Sequence, residues 1–172
     1  MNFLIENKNT IIRRTIFVFV IVAAAALQGT KGLFPTPGNI GVLLIIPVAV
    51  SIAMFEREVV GLLFGAFAGA IWDTYATGFG FNAIYMTIIT FGAGVLIHYL
   101  MRNNMFTALL MSSVAMAMYI LLYWLFNYVF KGYGTAGQVM LKYYLPTFLY
   151  SLIFIPLIYL LIRTVMKKFR QA

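Results

Sequence analysis

The sequence contains no cysteine, a single histidine and only four acidic residues among its 172 positions. Without cysteine there is no disulfide framework, no thiolate nucleophile and no cysteine-ligated zinc site, which excludes most redox and zinc chemistry. Charged residues make up 9% of the chain, against about 25% in an ordinary soluble domain. This scarcity of charge excludes a soluble globular fold.

Apolar residues make up 63% of the chain, and its mean hydropathy is +0.97. The net charge of +8 comes from basic residues at the ends of apolar runs and not along a polar face, so it indicates membrane topology. We therefore expect an all-α integral membrane protein, a single transmembrane domain over residues 1–172. Its surroundings are the lipid bilayer, and no nucleic acid is expected as a partner.

Six apolar stretches are predicted to cross the membrane as helices of one bundle. They lie at residues 11–28, 40–55, 59–73, 81–101, 105–130 and 143–163. The second is short for a bilayer that needs about 20 residues, and Pro47 in its middle favours a kink. Residues 1–10 are expected to form a tail, and residues 29–39 and 131–142 to form loops. The first stretch has the ingredients of a signal peptide, but we interpret it as an uncleaved helix.

Basic residues predict the orientation of the bundle. Six crossings place both termini on one side, which then carries nine basic residues against three on the other side, Lys31, Lys131 and Lys142. Because basic residues accumulate on the cytoplasmic side, both termini are predicted to be cytoplasmic. The predicted topology anchors are Arg13, Arg14, Arg102, Arg163, Lys167 and Lys168.

The third apolar stretch carries a stripe of small residues. Gly61, Gly65 and Gly69 recur at four-residue spacing, and Asp73 stands at the next step. A step of four overshoots a helical turn by about 40°, so the glycines form a slanting groove. In lipid, such a groove lets two helix backbones approach closely. We expect the fourth stretch to face it, and the predicted packing motif is completed by Gly80, Ala83 and Gly94.

Three polar residues lie within or at the rim of the central spans: Asp73, Asn82 and His98. Asp73 ends the third span, whereas His98 comes 17 residues into the fourth, so the two are about 25 Å apart in depth and cannot form a catalytic dyad. Asp73 either caps its loop or pairs with a lysine of the same rim, or it orders residues 74–82 against neighbouring helices or a partner. His98 is interpreted as an interface histidine. No catalytic, cofactor or metal site is predicted.

The central stretch also carries a family resemblance. The residues concerned are Gly61, Gly65, Gly69, Asp73, Gly80, Ala83 and Ile84. This pattern resembles the signature of the bacterial rod shape-determining MreD family, and the length, the six predicted spans and the basic ends agree with that family over the whole chain. The resemblance implies a fold similar to the substrate-binding components of energy-coupling factor transporters.

The same resemblance implies a function without enzymatic activity. Members of the family are components of the elongation machinery in the bacterial cytoplasmic (inner) membrane. They work with MreC, a single-span protein, and indirectly with the actin-like MreB, with RodA and with a class B penicillin-binding protein. The chain would then be a scaffold that helps to organise peptidoglycan synthesis and rod shape.

A substrate-binding membrane subunit of an energy-coupling factor (vitamin) transporter is the alternative, because it would have the same size and number of spans. Such a subunit needs outer polar and aromatic groups that converge on a ligand, and usually alanines spaced by four on its first helix. Here residues 23–26 are a continuous run of alanine. We therefore favour the scaffold.

Overall fold

The computed structural model describes residues 2–30, 41–76, 80–132, 134 and 136–170. These residues are helical apart from short connections. The α-helices are α1 (Asn2–Gly29), α2 (Ile45–Phe55), α3 (Glu58–Tyr75), α4 (Phe81–Tyr99), α5 (Met105–Trp124), α6 (Ala136–Val139) and α7 (Leu145–Arg170). Two π-helical turns extend α5 and join α6 to α7; they are Leu125–Val129 and Met140–Tyr144.

Four helical stretches are long and apolar enough to cross a membrane. They are Lys8–Gly29, Phe81–Tyr99, Met105–Val129 and Gly137–Phe169. Helix α3 has 18 residues and includes Asp73, and α2 has only 11 residues, about 16 Å at 1.5 Å per residue. The all-helical architecture and the apolar helices agree with the predicted membrane protein, whereas six crossings and the side of the termini stay predictions.

Helix α2 is the centre of the bundle. All of its residues from Ile45 to Met54 are buried, and α1, α3, α4, α5 and α7 pack around it. A helix that is apolar on every side is expected to be enclosed by other helices. Helices α3 and α4, which carry the predicted motif, therefore pack directly against this core.

The predicted second span, 40–55, is helical only from Ile45 onward; residues 41–44 are not helical, and Ile40 lies outside the described residues. Pro47 consequently stands in the first turn of α2, so its expected position in the middle of a helix was wrong. The first turn has no intrahelical acceptors for its N–H groups, so a proline there costs no hydrogen bond and needs no kink.

Two side chains from other helices satisfy the backbone before and at the start of α2. The Gln28 Oε1 atom accepts hydrogen bonds from the N–H groups of Leu44 and Ile45, at 2.8 and 3.0 Å. The N–H of Leu43 donates to Ser151 Oγ at 2.9 Å. Because an unpaired N–H is costly in apolar surroundings, these contacts allow a short helix to begin inside the bundle.

Helix extends further than predicted at two places. The tail expected at residues 1–10 is helical from Asn2, since neither glycine nor proline interrupts it. The loop expected at 131–142 becomes helical at Ala136.

The second π-helical turn lies directly before α7, whose second residue is Pro146. Proline has no N–H, and its ring crowds the carbonyl group four residues earlier. A wider turn accommodates that ring without ending the helix.

Candidate functional site

The contact between α3 and α4 is the most extensive helix contact among the described residues. A Cβ atom added to Gly65 would overlap Thr90 Oγ1 and lie 2.7 Å from the carbonyl oxygen of Met86. One added to Gly69 would lie 2.5 Å from the Cα of Ala83. Contacts this short do not leave room for a side chain, so glycine permits the approach of the two backbones.

The same contact is looser at the start of α3. The α4 atom nearest to a Cβ on Gly61 would be the carbonyl oxygen of Thr90, at 3.7 Å. That Cβ would lie 3.0 Å from the Cβ of Ala53 in α2, and one on Gly94 would lie 3.1 Å from the Cα of Glu58. These distances require the neighbour to shift by only a few tenths of an ångström. The backbone of α4 therefore comes closest to the glycine stripe, Gly61 to Gly69, at the Asp73 end of the stripe.

Gly80 differs from the other residues of the predicted packing motif. No atom lies within 4 Å of a Cβ built on it, and its φ of +85° is in the left-handed region that favours glycine. It is the residue that precedes α4. Gly80 is thus a turn residue, and its assignment to helix packing was wrong.

Asp73 caps the N-terminus of α4. Its Oδ1 atom accepts hydrogen bonds from the N–H and the Nδ2 of Asn82, at 3.2 and 2.9 Å, and its Oδ2 accepts one from the N–H of Ala83 at 2.9 Å. First-turn N–H groups have no partner inside their own helix, and a negative charge there is favourable. Gly80, at the usual capping position, has no side chain to do this, so α3 supplies the acid.

The Asp73 cap is joined to a third helix through Tyr119 of α5. The Tyr119 hydroxyl donates to Asn82 Oδ1 at 2.9 Å, and Asn82 is 1% exposed. The indole of Trp72 packs on the Tyr119 ring with 4.7 Å between centroids. Tyr119 was not among the residues predicted from the sequence, although a tyrosine inside an apolar span usually needs a partner for its hydroxyl.

The opposite end of the bundle holds the ion pairs of the described residues. Arg13 Nη2 lies 2.7 Å from Glu56 Oε1, its Nε donates to the same oxygen at 2.9 Å, and Arg14 Nη2 lies 3.8 Å from Oε2. The Glu56 side chain is 4% exposed. His98 Nδ1 lies 3.7 Å from Glu58 Oε1, and the histidine is 60% exposed. None of these pairs involves Asp73, so the structure favours the cap over a lysine pair.

We call this opposite end the basic end. Asn103 connects the helices there: its Nδ2 donates to the carbonyl oxygen of Met54 at 2.7 Å, and its Oδ1 accepts from the Tyr159 hydroxyl at 3.1 Å. Of the predicted topology anchors, Arg13 and Arg14 lie beside Glu56. The other four are exposed; they are Arg102, Arg163, Lys167 and Lys168. His98 is also at the basic end, beside Glu58, and Asp73 is at the far end of α3. The two residues therefore cannot act on one substrate atom, as predicted.

The chemistry available at the α3–α4 contact is that of hydrogen bonding and packing. No group of three or more histidine and acidic side chains that could hold a metal ion occurs in the part of the chain that the structure describes. The polar atoms of the Asp73 cap are directed at backbone N–H groups and at Tyr119. Both carboxylate oxygens of Asp73 are therefore engaged in hydrogen bonds within the fold.

The buried apolar α2, the long apolar helices around it and the capped α3–α4 pair define a helical multi-pass membrane protein. The model of the family described as rod shape-determining protein MreD matches residues 8–169. The chain therefore belongs to the MreD family, a family of structural membrane proteins that determine cell shape. No curated protein and no solved structure matched the chain. Nothing in these comparisons favours the transporter alternative.

Proposed function

We propose that this chain is a non-enzymatic scaffold of the bacterial inner membrane that helps to organise peptidoglycan synthesis during cell elongation. It binds an MreC-like single-span protein, and through that protein it acts with MreB, RodA and a class B penicillin-binding protein. The observation that carries the proposal is the family match over residues 8–169. It covers both ends of the α3–α4 pair.

The α3–α4 pair supports a role in presenting a fixed surface. The glycine stripe sets the distance between the helices, and the Asp73 cap fixes the start of α4 against the end of α3. Their outer faces carry exposed apolar side chains, namely Val59, Leu63 and Phe67 on α3 and Ile84, Ile88 and Phe91 on α4. A surface that is already ordered loses less entropy when a partner binds.

The use of the acidic residues supports the absence of enzymatic activity. Asp73 accepts backbone hydrogen bonds, the Glu56 side chain, which is 4% exposed, pairs with Arg13, and Glu58 lies beside His98. A general acid or base must lie within hydrogen-bonding reach of a substrate. Each of these three carboxylates instead faces a group of the fold.

Co-purification with a co-expressed MreC-like protein from membranes tests the scaffold. We expect recovery of the partner with the wild-type chain and with Gly92→Ala, because a Cβ at Gly92 has no atom within 4 Å. Gly65→Ala should reduce recovery, because its Cβ would push α3 and α4 apart. Recovery of energy-coupling ATPases and a bound vitamin in place of the MreC-like protein would contradict the proposal.

We also propose six crossings with both termini in the cytoplasm. Because the chain lacks cysteine, single cysteines can be introduced without background and labelled in intact cells with a membrane-impermeant maleimide. Lys131→Cys should be labelled, whereas Lys8→Cys should be labelled only after the membrane is permeabilised. Labelling of Lys8→Cys in intact cells would contradict the orientation.

A further inference from the structure

A cavity of about 660 Å³ opens at the basic end. Helix α1, the turn between α2 and α3, the last turns of α4 and the end of α7 surround it. The wall includes three arginines and three apolar side chains, which are Arg13, Arg14, Arg57, Phe55, Ile97 and Met166. We call it the basic cavity. Its volume lies within the range of about 300–1,000 Å³ that is usual for small-molecule sites.

The basic cavity has more positive charge than its own carboxylate neutralises. Glu56 is engaged by Arg13 at 2.7 Å, and its 3.8 Å distance to Arg14 is too long for a hydrogen bond. Arg57 has no carboxylate within 4.0 Å among the side chains that the structure describes. The other nearby acid, Glu58, lies beside His98. Two guanidinium groups therefore keep donors for a further anion.

The position and the wall of the basic cavity favour a lipid as the source of that anion. Arg13 and Arg14 lie near the start of the candidate span Lys8–Gly29, and Arg57 lies directly before α3. These positions are expected at the level of the lipid headgroups, and basic pockets between membrane helices bind anionic headgroups. Helix α4, which contributes Ile97 to the wall, also carries the exposed side chain of Leu96 next to it in sequence, and exposed Leu100 directly follows the helix. A phospholipid would use both parts of the wall, whereas free phosphate would use only the arginines.

We propose that the basic cavity binds the phosphodiester headgroup of an anionic phospholipid, with Arg14 and Arg57 as the phosphate donors. The planar guanidinium group matches the geometry of phosphate oxygens and binds them with two parallel hydrogen bonds. Arg13 keeps Glu56 neutralised so that this carboxylate does not repel the phosphate. This site lies at the other end of α3 and α4 from the Asp73 cap, and the family match that carries the scaffold proposal does not depend on it.

Native mass spectrometry of the delipidated protein in detergent tests the site. Phosphatidylglycerol is titrated and the fraction of protein with one bound lipid is measured, with phosphatidylcholine, inorganic phosphate and a soluble acidic peptide as separate arms. The test variant is Arg14→Gln with Arg57→Gln. The matched control is Lys167→Gln with Lys168→Gln, which removes two exposed charges near the same end that do not line the cavity.

We expect one phosphatidylglycerol to bind to the wild-type chain in preference to phosphatidylcholine, and roughly tenfold weaker binding in the arginine variant, at about 1 kcal/mol or less for each basic residue. The lysine control should bind as the wild type does. Equal weakening in both variants would overturn the proposal, because it would indicate diffuse charge. Displacement of the lipid by inorganic phosphate, or binding of the acidic peptide in place of the lipid, would also overturn it.

Discussion

Helix α3 has a carboxylate near each end, and the two are used differently. Asp73 accepts three hydrogen bonds at distances of 2.9–3.2 Å, two of them from first-turn N–H groups of α4. Glu58, at the other end, lies 3.7 Å from His98, whose side chain is largely exposed. The packing of α3 against α4 is also tighter at the Asp73 end, since the two backbones are closer at Gly69 than at Gly61.

This comparison shows that an acid at a helix terminus gains most where the surroundings are apolar and the donors are fixed. Asn82 is 1% exposed, so its backbone N–H has little access to water and losing Asp73 leaves it unpaired. His98 is 60% exposed and lies 3.7 Å from Glu58 Oε1, which is too far for a hydrogen bond. That oxygen is buried and has no hydrogen-bond partner among the described residues, so the acid gains little from this contact. The Asp73 end is therefore expected to contribute most of the stability of the α3–α4 pair.

The largest expected difference concerns the glycines. Gly69→Ala should lower the free energy of unfolding by about 2 kcal/mol, because its Cβ would meet the backbone of α4 at 2.5 Å. Gly94→Ala should change it by less than about 1 kcal/mol, because a small shift relieves the contact and alanine favours helix. Unfolding by sodium dodecyl sulfate in mixed micelles measures both. Equal losses would show that the two ends are packed alike.

Substitution of the two acids tests whether the two ends of α3 differ in stability. Asp73→Asn should cost about 1 kcal/mol, since one acceptor remains for the N–H groups of α4, and Asp73→Leu about 2 kcal/mol. Glu58→Gln should cost less than about 0.5 kcal/mol. The same titration provides the measurement. If Asp73→Asn and Asp73→Leu lose equal stability, charge and not hydrogen bonding is what Asp73 contributes.

A hydroxyl deletion at each end gives a smaller effect. Tyr119→Phe should cost about 1 kcal/mol, because it leaves the buried Asn82 Oδ1 without its donor. Tyr159→Phe, at the basic end, should cost only a few tenths, because Asn103 is partly exposed and water can replace the hydroxyl. Thermal unfolding of both variants in the same detergent checks this order. A greater loss for Tyr159→Phe would reverse it.

The smallest effect is expected at His98. His98→Gln should change the free energy of unfolding by less than about 0.5 kcal/mol, because the histidine is 60% exposed and its 3.7 Å distance to Glu58 Oε1 is too long for a hydrogen bond. The change should be as small in 50 mM salt as in 500 mM salt, on the order of measurement error. A loss above about 1 kcal/mol would mean that the basic end depends on this pair.

Local pattern was enough to predict part of this structure. Hydropathy predicted helices throughout, and the spacing of Gly61, Gly65 and Gly69 predicted a groove that α4 occupies. Both features depend on residues three or four positions apart, which is about one turn of an α-helix. Helix ends were less predictable, since the start of α2 at Ile45 depends on Gln28, which belongs to another helix.

Partners that are distant in sequence were not predicted. Arg13 and Glu56 are 43 positions apart, and Tyr119 and Asn82 are 37 positions apart. No periodicity within one helix specifies which side chain of another helix will face it. Asp73 could be recognised as important from its place at the end of the glycine stripe, but its acceptor role requires the position of the first turn of α4.

The Asp73 cap has a consequence for how the chain is made. Only nine positions separate Asp73 from Asn82, whereas the contact with Tyr119 needs a helix that is synthesised later. Helices α3 and α4 can therefore pair the N–H groups of Asn82 and Ala83 with Asp73 before α5 has been synthesised. Tyr119 then joins a hairpin that is already closed, so the order of synthesis matches the order in which the polar contacts can form.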